Sequence, residues 1–194
     1  MSGPTPSQTV GPYFTMEVTG EGENVLTSPE TIGQRIRIEG VVLDGDRNHI
    51  EDALLELWQA NAAGRYNHPV DDREDVPLDA AFTGFGRCAS DFHTGAFTFL
   101  TIKPGPVPHP SGGMQAPHIS LIIQARGMLD PTYTRIYFDD EAEANAADPV
   151  LATVPEGRRA TLIARRIDDD GGSTPTYRFD IRYQGDDETV FFDV

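Results

Sequence analysis

With 194 residues, 38% of them hydrophobic, the chain is long enough for one domain with a sizeable core. A net charge of −16 excludes nucleic acid and anionic membranes as partners, because phosphate binding needs clustered Lys and Arg. The single cysteine, Cys88, excludes an intrachain disulfide and reads as a small buried hydrophobe in a reducing compartment. With no signal-like segment and no apolar run of about 18 residues, a cytoplasmic protein is expected.

Nineteen glycines and 15 prolines favour a loop-rich β fold over a helix bundle. The expected organisation is a single domain over 1–194, with an N-terminal arm (1–34) followed by a β-sandwich core and a C-terminal tail (35–194). In the arm, residues 6–14 show no hydrophobic alternation; Gly11-Pro12 imposes a turn of restricted shape, and Tyr13-Phe14 would anchor it. Period-two alternation then predicts strands. Ile36, Ile38 and Val42 share one face, and Leu55 and Leu57 lie opposite Leu54, Glu56 and Trp58. Phe97 and Phe99 share a face in a strand ending at Thr101.

The clearest alternation runs over 118–126. Ile119, Leu121, Ile123 and Ala125 read as a core face, and His118, Ser120, Gln124 and Arg126 as the lining of a pocket or interface. Gly- and Pro-rich turns separate the strands at 104–106 and 110–113. Two short helices are expected. Residues 139–147 are alanine-rich behind an acidic first turn. Residues 156–167 follow Pro155 and put Ala160, Ile163 and Ile167 on one stripe. Tyr177, Phe179, Ile181 and Tyr183 then alternate with Arg178, Asp180 and Arg182, and the apolar residues of 190–194 call for burial against the body or a partner.

Four segments bear on chemistry: LELWQANAAGRY (55–66), TIKPGPVP (101–108), APHIS (116–120) and TRIYFDDE (134–141). In this order and at these separations they resemble the intradiol aromatic-ring dioxygenases, which use ferric iron and O2 to split a catechol ring between its hydroxyls. The family site takes two tyrosines and two histidines. Tyr66 and His118 match one position of each kind, while Val107 and Ser120 stand at the other two. Val107 has no lone pair, and a serine hydroxyl is a poor substitute for imidazole toward a hard trivalent cation. His109 and Gln115 replace a tryptophan and an arginine of the catalytic chains.

Some members of the family are built from two homologous subunits, of which only the beta subunit binds iron. This sequence resembles the alpha subunit from Pro6 to Val194, most specifically at 5–14, 116–127, 135–146 and 177–194. The resemblance implies the same β-sandwich. It implies no metal and no catalytic residue on this chain, with ferric iron held by a homologous beta subunit in a higher alpha–beta oligomer. Thr9, Gly11 and Pro12 on the arm, and Arg126, are implied to contact a small aromatic substrate, Arg126 through a carboxylate. Tyr66 and His118 are expected to bond each other or a water. Tyr137 and Phe138 are expected to pack in a sheet, and His49, His68 and His93 to face solvent. Residue chemistry leaves two other readings open: a self-contained metalloenzyme using Tyr66 and His118 with His109 or His68, and a non-enzymatic binding module.

Overall fold

Apolar residues that alternate along an extended chain need a surface to cover, and here two groups of strands cover each other. The computed structural model describes residues 3–167 and 174–193. Met1 and Ser2 of the expected arm and Val194 of the expected tail lie outside them, as do 168–173. Strand β1 (Arg35–Leu43) buries Ile36, Ile38 and Val42, and β2 (Leu54–Gln59) buries Leu55 and Leu57. After β3 (Phe85–Ala89), β4 (Ala96–Ile102) buries Phe97 and Phe99. Strands β5 (Val107–Pro108) and β6 (Met114–Gln115) form a short ladder of their own. Strand β7 (Ile119–Gln124) buries Ile119, Leu121 and Ile123, and pairs with β8 (Thr132–Phe138). Strands β9 (Ile163–Ile167), β10 (Thr176–Arg178) and β11 (Ile181–Arg182) complete the set.

One group runs β3–β2–β7–β8, all antiparallel. In the other, β1 pairs antiparallel with β4 and parallel with both β10 and β11. A parallel β8–β9 pair and an antiparallel β9–β10 pair link the groups. Their inward residues, including Ile38, Phe99, Leu57, Leu121 and Ile136, form one apolar core, so the fold is the expected mainly-β sandwich. Each fully buried leucine or isoleucine contributes about 1.5–3 kcal/mol. An aspartate at Leu57, which is 0% exposed, would bury an unpaired charge and break the structure.

The expected helix at 139–147 forms as a 3-10 turn (Asp139–Glu141) leading into α-helix Ala142–Ala147. The expected helix at 156–167 is corrected. Only Glu156–Arg159 is α-helical; Ala160–Leu162 is 3-10, and the chain then extends into β9. The residues the fold buries there are Leu162 and Ala164, both off the helical stripe, whereas Ile167 is 40% exposed. Ile163 and Ala164 pair with Tyr137 and Phe138 on β8, and that ladder outweighs a stripe of three apolar residues.

The arm divides in two. Residues 3–18 are largely exposed and include a short helix, Phe14–Val18, with no buried residue. Tyr13, expected as an anchor, is 72% exposed, and Phe14 is half-buried. From Glu23 onward the chain belongs to the sandwich: the Glu23 and Asn24 carbonyls accept from the Arg87 and Leu100 amides, and Leu26 is buried. The C-terminal residues pack on their own domain. Phe191 stacks on Tyr183 with centroids 4.8 Å apart, and the Phe192 amide donates to the Tyr133 carbonyl. Cys88 is half-buried against the core. Among the described residues no helix is long and apolar enough to cross a membrane.

Candidate functional site

The turn at 61–66 sets Tyr66. The Asn61 side-chain oxygen accepts from the Ala63 and Arg65 amides, and Gly64 turns the chain at φ +82°. A Cβ on Gly64 would stand 2.0 Å from the Pro106 carbonyl oxygen, so only glycine lets this turn lie against the segment leading to Val107. The Tyr66 amide donates to Asp71, whose carboxyl the Arg73 guanidinium holds down at about 2. The Tyr66 ring stacks on Trp58 at 5.7 Å and 8°.

His118 is 4% exposed, and its Nδ1 lies 2.8 Å from the Ala116 carbonyl. That contact fixes a proton on Nδ1 and leaves the Nε2 lone pair free, the form a metal-binding histidine takes. Burial, with the Arg135 charge nearby, drops its pKa to about 4. The buried Asp148 carboxylate pins this loop by accepting from the Ala116, Val150 and Leu151 amides. Tyr66 and His118 are held by these separate partners, with no hydrogen bond from one to the other.

Val107 is buried on β5 and paired with Gln115 on β6. Ser120 on β7 lies directly between Trp58 on β2 and Arg135 on β8. Tyr66, Trp58, Ser120 and Arg135 thus form one chain of neighbours, and Arg135 is a residue the sequence reasoning missed. Arg135 donates to Gln115 Oε1 at 2.7 Å, its Nη1 lies 3.4 Å from the Tyr137 hydroxyl, and its guanidinium lies 5.9 Å from the Phe192 ring centroid. Its charge is near enough to pull down the pKa values of both Tyr66 and His118. For Tyr66 the larger effect is burial, which raises its pKa. Arg135 stood inside a motif segment, on a strand whose register with Ser120 only the fold reveals.

This donor set does not fit ferric iron. One phenol and one imidazole remain, an apolar side chain fills the second tyrosine position, and a permanent cation stands beside the fourth. Among the described residues there is no group of three or more His, Cys, Asp and Glu that could hold a metal.

Arg126 lies elsewhere. Strand β7 ends at Gln124, and Arg126 sits in the following turn, at the opposite end of the strand from His118. Eight residues of extended chain separate the two by roughly 25 Å. The in/out alternation carries on past the strand, with Ala125 buried and Arg126 exposed, but the length of the strand keeps Arg126 away from His118. The fold instead brings Arg126 to the arm: the Gly127 amide donates to Thr9 Oγ1 at 2.7 Å. Gly11, two residues on, has φ +82°, the left-handed turn that glycine permits, and is followed by the exposed Pro12. Beside Arg126 opens a cleft of about 440 Å3, the size of a small-molecule pocket, lined by His49, Asp52, Met128 and Tyr183 among others.

The remaining residues fall close to expectation. His49, His68 and His93 are exposed, and His109 is half-buried at the β5–β6 turn. His68 stands edge-on to Trp58 at 6.3 Å, in a second cleft with Tyr66 and Arg73. Tyr137 and Phe138 are fully buried on β8, and burial lifts the Tyr137 hydroxyl to about 12.

Comparison with known proteins agrees with this geometry. A family model described as Dioxygenase matches residues 9–185. The protocatechuate 3,4-dioxygenase alpha chain of Burkholderia cepacia is 44% identical, over 98% of this chain and 97% of that one. The protocatechuate 3,4-dioxygenase beta chain of the same organism is 39% identical, over 86% of this chain and 72% of that one. Among solved structures, the dioxygenase domain of a dioxygenase–carbohydrate-binding fusion from Streptomyces sp. SirexAA-E superposes with a TM-score of 0.62 at 25% identity, covering 93% of this chain and 97% of that one.

Proposed function

The chain belongs to the intradiol ring-cleavage dioxygenases, and from that premise we propose that it is the alpha subunit of a protocatechuate 3,4-dioxygenase. The complex cleaves 3,4-dihydroxybenzoate with O2 to 3-carboxy-cis,cis-muconate. Ferric iron belongs to a homologous beta subunit, and this chain supplies scaffold and one wall of the substrate pocket. One observation carries the reading: near full-length similarity to an alpha chain in a sequence whose four ligand positions hold Tyr66, Val107, His118 and Ser120.

In this reading the arm crosses to the partner. Val10, Tyr13, Met16 and Val18 expose between 36% and 75% of their surface, which favours burial against another chain. Thr9 ties the arm to Gly127, so Gly11, Pro12 and Arg126 would approach the partner's pocket from one side. Arg126 is the one of these with a charge to offer, and a guanidinium fork matches the carboxylate that distinguishes protocatechuate from catechol.

Co-expression with a beta chain tests the proposal. The pair should co-purify, carry iron and take up O2 with protocatechuate, while the chain by itself does neither. Stoichiometric iron and turnover in the lone chain would overturn it in favour of a self-contained metalloenzyme on Tyr66 and His118. A lone chain that neither pairs with a beta chain nor supports activity would leave a binding module.

A further inference from the structure

Resting on the reading of Arg126 as the carboxylate contact, we propose that Asp52 positions its guanidinium, and that Glu51 holds the place the substrate carboxylate takes. Both acids come from the turn before β2, and each binds a different part of the arginine. Asp52 Oδ2 lies 3.1 Å from Nε, and Glu51 Oε2 lies 3.2 Å from Nη2.

The two acids differ in burial, and that separates their roles. The Asp52 side chain is 7% exposed, and its Oδ2 makes no hydrogen bond among the described residues, so the Arg126 charge 3.1 Å away is what balances it there. A buried carboxylate with a single cation beside it is costly to separate from it. The Arg126–Asp52 pair is therefore the durable one, and its charge holds the guanidinium from the Nε side. Glu51 is 41% exposed and makes a single contact, and a surface pair of this kind contributes little.

Guanidinium carries five N–H donors. With Nε facing the Asp52 charge and one Nη2 donor on Glu51, the Nη1 edge has no partner among the described residues. Half of the Arg126 side chain is exposed, 51%, beside the cleft with His49, Met128 and Tyr183. An incoming carboxylate that displaced Glu51 would gain the parallel Nη1 and Nη2 donors of a two-point contact while Asp52 kept its own.

The test uses the assembled alpha–beta complex, with Asp52→Asn, Glu51→Gln, Arg126→Ala and the Asp52→Asn/Arg126→Ala pair. KM and kcat are measured for protocatechuate and for catechol, with iron quantified. Asp52→Asn should raise the protocatechuate KM relative to that of catechol by roughly 3- to 30-fold, with no further change once Arg126 is alanine. Glu51→Gln should act in the opposite direction, lowering the protocatechuate KM by about twofold to fivefold. Asp52→Glu, which keeps the charge but moves it, should fall between wild type and Asp52→Asn, and it serves if Asp52→Asn does not assemble. An Asp52→Asn effect equal on both substrates, or persisting in the Arg126→Ala background, would make Asp52 structural and overturn the inference. A Glu51→Gln complex with weakened protocatechuate use would overturn the assignment of Glu51. If Arg126→Ala itself slows both substrates alike, the reading beneath the inference fails, whatever Asp52 does.

Discussion

Restoring the two missing ligands should not restore the metal, because Arg135 stands where a second positive charge is unwelcome. In the variant Val107→Tyr/Ser120→His the four family ligand types are complete, and His118 already presents a free Nε2. Ser120 and Arg135 are direct partners across β7 and β8. Opposed residues hold their Cβ atoms about 5 Å apart, so a metal bound at position 120 would lie roughly 6 Å from the guanidinium. Two tyrosinates leave ferric iron a net charge of one. Its repulsion from Arg135 at ~6 Å and an effective dielectric constant of ~20 is about 3 kcal/mol. That is about a hundredfold in affinity. The double variant should therefore load iron far below one per chain, and adding Arg135→Gln should raise iron affinity about a hundredfold. Metal analysis and titration of the tyrosinate-to-iron charge-transfer band measure both. Val107 is 3% exposed, so a tyrosine there overpacks the site, and thermal unfolding of each variant separates misfolding from metal loss. Full iron loading in the double variant, or a change under about threefold on adding Arg135→Gln, would refute the electrostatic argument.

Arg126→Ala in the assembled complex should weaken protocatechuate use by roughly ten- to a hundredfold, the worth of a hydrogen bond to a charged group, and spare catechol and iron content; equal loss on both substrates would refute it. His118 should make the isolated fold acid-labile. Its folded pKa is depressed to about 4, so between the unfolded value of 6.5 and pH 4 the unfolded chain takes up a proton that the folded chain refuses. Its contribution is fully present above pH 6.5 and is lost as the pH falls toward 4, by about 2–4 kcal/mol. Urea unfolding at pH 7 and pH 5 should show a gap that narrows in His118→Gln, and an unchanged gap would place the titration elsewhere. Gly64→Ala should destabilise by several kcal/mol, because the new methyl meets the Pro106 carbonyl oxygen at 2.0 Å and the backbone is left-handed there. A wild-type unfolding curve for Gly64→Ala would show that the 61–66 turn can move away.

The order of the four motif segments and the period-two strands were legible in the sequence, because side-chain direction along an extended chain is a local property. Ile36, Leu55, Phe97 and Ile119 face inward as their spacing requires, and Ser120 stands beside Trp58, on whose ring Tyr66 stacks. The end of a periodic run was not legible. Residues 160–167 fit a helical stripe, yet ladders on both sides make Ile163–Ile167 a strand, and β7 stops before Arg126, so parity could not say what that arginine meets. Residues far apart in the chain meet only through register and turns. The position of Arg135 beside Ser120, the hold of Glu51 and Asp52 on Arg126, and the tie from Thr9 to Gly127 are all such meetings. The sequence by itself determined which ligands this chain lacks, since that is a matter of residue identity. The tertiary structure decided which charge now stands beside those positions and which carboxylates hold Arg126, since those depend on distance through space.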